Sequence, residues 1–195
     1  MKKSILATIF FLVFSNLTFS QIKATNLNYV WAAKEFSKDV ALFRAKSFLY
    51  KYVLGSNENI SKFELIPLAA SGSGELTTLL YKADDKNQEG MILGFFGDYW
   101  NEAGVVYQGY AFKNLNKYEA LEFLEKINNA IESNSKFMKD SYDNNNIYFS
   151  YKDIDVLIYA SNQNFSIRLF WNNFDSNWDK TAFDRSKRRF EKRIN

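Results

Sequence analysis

Residues 105–131 read VVYQGYAFKNLNKYEALEFLEKINNAI, and the fold turns on the change of period at Asn116. Before it, Val105 to Phe112 carry the period-two character of a strand with one face turned inward. After it, Ala120, Leu121, Leu124, Ile127 and Ile131 recur at helical spacing. The quartet Asn116-Lys117-Tyr118-Glu119 has the form of a capping box, in which the first side chain and the fourth satisfy each other's backbone N–H groups. A strand therefore ends, and a helix begins, within about four residues.

Upstream, three more runs share the period-two pattern: Phe63 to Ala70, Leu76 to Lys82 and Met91 to Phe96. Turn-rich connections separate them, namely Ser71-Gly72-Ser73-Gly74, the polar stretch Asp84 to Gly90, and Gly97 to Gly104. Pro67 has no N–H for a ladder, so the first run belongs at a sheet edge or is interrupted there. Further upstream, Val30, Ala33, Phe36, Val40, Phe43 and Phe48 fall mostly three and four apart, which predicts a helix over Tyr29 to Leu54, broken near Ser37 and stopped by Gly55. Downstream, a polar bridge from Ser133 to Asn146 leads to three short strands, Ile147 to Tyr151, Ile154 to Ala160 and Phe165 to Trp171. Phe165, Ile167, Leu169 and Trp171 point one way, and Ser166 and Arg168 the other. Ser176-Asn177-Trp178-Asp179 then reads as the start of a last helix with Trp178, Ala182, Phe183 and Phe190 on its apolar side.

The order is helix, four strands, helix, three strands, helix. Runs of strands segregated from helices favour an α+β domain whose antiparallel sheet, about seven strands in two runs of four and three, carries its helices on a face. The 195 residues are 47% hydrophobic with one proline and eight glycines, which is the composition of a folded chain. One α+β domain over residues 21–195 is the expected organisation.

The first twenty residues read as an address. Met1-Lys2-Lys3 is followed by an apolar stretch from Ile5 to Phe14, and Thr18 and Ser20 are small enough for signal-peptidase pockets. This predicts a secretory signal peptide over residues 1–20, cleaved after Ser20, and a periplasmic or secreted product that does not span the membrane. The chain contains no cysteine, so an exported domain would stand without disulfides.

With neither histidine nor cysteine, Ser-His-Asp and Cys-His catalysis, zinc fingers and haem ligation by histidine or cysteine are excluded. An active site would rest on carboxylates, and Asp98 and Glu102 are the candidates, because they share a glycine-flanked connection with Tyr99 and Trp100. Two carboxyl groups facing each other beside aromatic rings suit glycoside hydrolysis. Acidic and glycine residues are also what any exposed turn uses, so the favoured reading leaves the chain without a catalytic residue. Ser71 to Gly74 lacks the lysine and the following helix of a phosphate loop. Asp140 to Asn146 and Asp153-Ile154-Asp155 do not match calcium-loop spacing, and no metal or cofactor is expected.

Charge is concentrated near the C-terminus. Seven basic residues between Lys180 and Arg193 face only Asp184 and Glu191, while the whole chain is formally +3. Arg185, Arg188, Arg189 and Lys192 are binding candidates toward an acidic partner or an anionic membrane surface, and Tyr99 and Trp100 toward a protein or a glycan. Nucleic acid is not an expected partner, since the chain has no stacking motif and little overall basicity. The sequence thus favours a non-catalytic binding domain of the cell envelope or extracellular space; a carboxylate-dependent glycan hydrolase and anionic-surface association through the last helix are the alternatives.

Overall fold

The computed structural model describes residues 31–32, 38–55, 60–100, 103–104, 106–139, 144–161 and 164–194. The expected signal segment, residues 1–20, lies outside them. The fold is α+β, as the segregated pattern requires. Two four-stranded antiparallel meanders each end in a helix. The first is β2 (Glu64–Ala70), β3 (Leu76–Ala83), β4 (Gln88–Trp100) and β5 (Val106–Asn116), followed by α2 (Lys117–Ser133). The second, after the short helix α3 (Ser135–Lys139), is β6 (Asn146–Tyr151), β7 (Ile154–Ser161), β8 (Asn164–Trp171) and β9 (Phe174–Asp179), followed by α4 (Lys180–Ile194).

The capping box forms as read: Asn116 Oδ1 accepts from Glu119 N–H at 3.0 Å and Glu119 Oε2 accepts from Asn116 N–H at 2.9 Å. Pro67 does both things expected of it. Among the described strands β2 pairs only with β3, at an edge, and its register slips between Pro67 and Ala69. Side chains take up the backbone groups freed by that bulge, for Thr78 Oγ1 accepts from Ala69 N–H at 3.2 Å and the Arg189 guanidinium donates to Leu68 O.

Three expectations are corrected. The helix predicted from Tyr29 gives way to a two-residue strand β1 (Trp31–Ala32) on the outer edge of β5, and the helix α1 begins at Lys38, runs to Phe48 and passes into a π turn, Leu49–Val53. Strand β4 does not stop at Phe96 but continues to Trp100, because both its edges find partners: β5 along its length, β3 as far as Phe95, then β9 at Tyr99. The stretch Phe174 to Asp179 is a strand and not the head of the last helix, which raises the described strands to nine. Its Phe174, Ser176 and Trp178 alternate inward, a pattern hidden by the turn-forming Ser, Asn and Asp between them. Asp179 caps the helix, its Oδ1 accepting from Ala182 N–H at 2.9 Å.

Alternation sends the side chains of the first sheet into two cores. Leu80, Met91, Leu93, Phe95 and Leu115 meet Phe123 and Ile127 of α2, Phe183 and Phe190 of α4, and Val156, Ile167, Leu169 and Trp178 of the second sheet. On the opposite face Leu79, Tyr81, Ile92, Tyr110 and Phe112 pack with Ala45, Phe48 and Leu49 of α1 and its π turn. Gly90 is required between the two, since a Cβ there would lie 2.3 Å from Leu115 O and 2.7 Å from the Tyr81 hydroxyl.

The two sheets are held at one seam. Where β3 ends, Phe96 N–H donates to Glu75 O at 2.8 Å, and the next partner of β4 is Phe174 of β9. The β2–β3 turn grips β9 from its flank: Glu75 Oε2 accepts from Asn177 N–H at 2.7 Å, and Asp179 Oδ2 accepts from Gly72 N–H at 2.7 Å. The glycine-rich turn thus holds a carboxylate of its own chain. Asp179→Ala removes both the helix cap and this anchor, and we expect a loss of about 1–2 kcal/mol in urea unfolding, with Asp179→Asn losing less. An unchanged midpoint in the alanine variant would show that the seam does not depend on Asp179.

Candidate functional site

The residues singled out in the sequence fall in two places. Asp98 is exposed on β4, opposite Gln108 of β5, and so stands on a strand and not in the loop expected of it. Tyr99 and Trp100 continue the same strand, and Glu102 lies outside the described residues. Arg185, Arg188, Arg189 and Lys192 are all exposed on α4. Their spacing of three and four aligns them on one stripe, away from the buried Ala182, Phe183 and Phe190. Neighbouring cations are matched, Lys180 to Asp184 and Lys187 to Glu191 and Glu125. Among the described residues Arg185, Arg188 and Lys192 have no ion pair, and Arg189 is turned to Leu68 O.

A cleft of about 430 Å³ opens elsewhere, where three separate pieces of chain converge. The end of α1 and its π turn contribute Phe48, Tyr52 and Val53. Strand β5 contributes Phe112, Lys113 and Asn114, and the hairpin tips of the second sheet contribute Asp153, Trp171 and Asn172. Beyond Gly109 and Tyr110, which pair with β1, no described strand pairs with this edge of β5. The tips are built for tight reversal. Asn172 and Asn173 have φ of 50° and 65°, the left-handed pair of a two-residue hairpin turn, and Lys152 has φ of 54° at the other tip.

Three polar groups of the cleft form a connected set. Lys113 Nζ lies 2.6 and 2.7 Å from the two carboxylate oxygens of Asp153, and Trp171 Nε1–H donates to Asp153 Oδ2 at 2.9 Å. The same ammonium stands 5.6 Å from the centre of the Trp171 ring, within cation–π reach. Trp171 is fixed from behind by Phe95, ring centres 5.1 Å apart. On the far side Phe48 packs 5.6 Å from Phe112 and 5.8 Å from Tyr52. Phe48 and Phe112 are buried, whereas the Tyr52 ring remains 47% exposed and Trp171 is half-buried, so these two are the accessible aromatic surfaces. Asn114 adds a buried side-chain oxygen without a hydrogen-bond partner among the described residues. Its neighbour Tyr81 is pushed up to about 12 by burial, against a hydrogen bond with Asn114 that pulls it down.

Burial raises the Asp153 carboxyl, but the hydrogen bonds from Lys113 and Trp171 and the Lys113 charge outweigh it and hold the group below the usual carboxylate range. The Asp153 side chain keeps 56% of its exposure, so solvent screening leaves the pair a small contributor to stability. It fixes geometry instead. Lys113 and Asp153 neutralise each other, and the cleft presents a rigid, net-uncharged set of donors and acceptors between aromatic rings.

Spacing marks none of these nine residues as a site, and Asp153 is offered by the sequence only as an unmatched calcium-loop oxygen. Lys113 and Asp153 are forty residues apart and meet only through the packing of the two sheets. The one local signal is Lys113-Asn114 standing between Phe112 and Leu115 in a strand that is otherwise largely apolar. Among the described residues no three acidic, histidine or cysteine side chains are placed to hold a metal ion, and no helix is long and apolar enough to cross a membrane. No protein-family model, curated protein or solved structure matches the chain.

A carboxyl whose pKa is lower folded than unfolded adds stability above the unfolded value and loses it as pH falls through the folded one. Lys113→Met should move the Asp153 titration upward, read by carboxyl-carbon NMR. The stability difference between the parent and this variant should be widest near neutrality and shrink below about pH 4. A variant whose Asp153 titrates as in the parent would show that Lys113 does not set that carboxyl.

Proposed function

We propose that the chain is an exported, non-catalytic binding domain and that the cleft between α1, β5 and the tips of the second sheet is its ligand site. Export rests on the Met1–Ser20 segment, with its short basic start, apolar run and small residues before Gln21. The observation that carries the binding reading is the cleft itself, a concave site walled by aromatic rings with a few convergent polar groups, as small-ligand sites commonly are. Its ionisable groups are engaged with each other, an arrangement suited to holding a ligand more than to attacking one. Asp98 stands five residue pairs along the β4–β5 ladder from Lys113, about 17 Å, and is no part of this cleft.

A second reading is favoured by one observation, the stripe of Arg185, Arg188 and Lys192 without carboxylate partners among the described residues. In it α4 lies on an anionic surface through charge alone, since its apolar side is buried in the core.

The test is retention of envelope and extracellular material on immobilised Gln21–Asn195, compared with the double variant Tyr52→Ala, Trp171→Ala and with Arg185→Glu, Arg188→Glu, Lys192→Glu. Cleft binding predicts that the first variant, shown folded by circular dichroism, loses the captured ligand while the second keeps it at high salt. Loss confined to the charge-reversed protein, together with release at about 0.5 M salt, would replace the cleft with the helix.

A further inference from the structure

The cleft's chemistry narrows its ligand, and the narrowing rests on the binding reading given above. Two accessible rings, Tyr52 from the π turn and Trp171 from β8, offer apolar faces for a flat or ring-shaped apolar surface. Between them the polar complement is mixed. The Lys113 ammonium has three N–H groups and the Asp153 carboxylate several lone pairs, of which their mutual contact and the Trp171 indole use only some. A ligand that matches such a set must both donate and accept at closely spaced points, which a hydroxyl group does and a carboxylate, an ammonium or a hydrocarbon does not.

Charge decides between ligand classes. Lys113 and Asp153 cancel, so an ionic ligand would meet no opposite excess charge and would have to shed water without compensation. A purely apolar ligand would strip water from the ion pair for no return. Both are disfavoured by the same pair. We infer that the cleft takes a neutral, hydroxyl-rich ligand with an apolar ring face, that is, an uncharged sugar unit of a glycan. Its C–H face lies on Trp171 or Tyr52, and its hydroxyls bridge Lys113 and Asp153.

The assignment is tested by NMR of the Trp171 indole N–H, identified by its disappearance in Trp171→Phe, in the folded chain from Gln21 onward. The probes are neutral gluco- and manno-oligosaccharides, an oligogalacturonate of equal length and a short-chain alkanol. The expected result is a saturable shift with a neutral oligosaccharide, weakened at least about ten-fold in Tyr52→Ala. Asp153→Asn, which leaves Lys113 uncompensated, should move the preference from the neutral sugar toward the oligogalacturonate. A shift produced by the galacturonate or the alkanol in the parent, with no response to any neutral sugar, would overturn the sugar assignment while leaving the cleft a binding site. Silence of the Trp171 resonance toward every probe, while the same probes leave the protein folded, would overturn the assignment; an unchanged yield of captured material with Tyr52→Ala, Trp171→Ala would overturn the cleft reading as well.

Discussion

A long central strand needs hydrogen-bond partners on both edges for its whole length, and β4 has thirteen residues where β3 has eight. The rest of the structure follows from how that shortfall is met. Strand β5 takes one edge of β4 from Gly90 to Trp100. On the other edge β3 reaches Phe95, Glu75 O receives the Phe96 N–H, and β9 arrives at Tyr99. One strand thereby belongs to both sheets. Glu75 and Asp179, one from each sheet, make the join directional by binding backbone N–H groups of the opposite sheet, Asn177 and Gly72. Behind the seam, α2 and α4 fill the space between the sheets, and buried Thr78 and Ser186, hydroxyls 2.7 Å apart, tie α4 to β3.

The cleft is a consequence of the same join. With β9 docked on β4 at Tyr99, the tips of the second sheet reach across to β5, where Lys113 meets Asp153 and Trp171 rests on Phe95. Helix α1 packs on the other face of the first sheet through Phe48 and Phe112, and so supplies the opposite wall. No single segment contains the site. The two accessible rings pack on core residues, Trp171 on Phe95 and Tyr52 on Phe48.

What the sequence revealed was local. The capping box at Asn116 to Glu119, the edge position forced by Pro67 and the inward alternation of Ile167 and Leu169 are each set within a few residues, and each is found where the pattern places it. What it concealed depended on contacts between distant segments. Strand β9 looks like a helix start because Ser176, Asn177 and Asp179 are good cap residues, and only pairing with β8 gives it strand character. The extension of β4 through Asp98 to Trp100 is invisible without β9, and glycines at 97 and 104 suggest a loop. Lys113, Asp153 and Trp171 are ordinary surface residues until two sheets bring them together, whereas Asp98 and Glu102 stand near aromatic residues in the sequence itself and so are the carboxylates it offers as candidates.

The claim on which all of this rests is that the shared edge of β4 makes the two sheets one cooperative core. Native-state amide hydrogen exchange over a denaturant series measures it directly, by comparing the slowest amides at the centre of β4 with those at the centre of β8. The account predicts that both open with the free energy and denaturant dependence of global unfolding. Exchange of β6 to β9 through a lower-energy opening, while β2 to β5 stay protected, would contradict it.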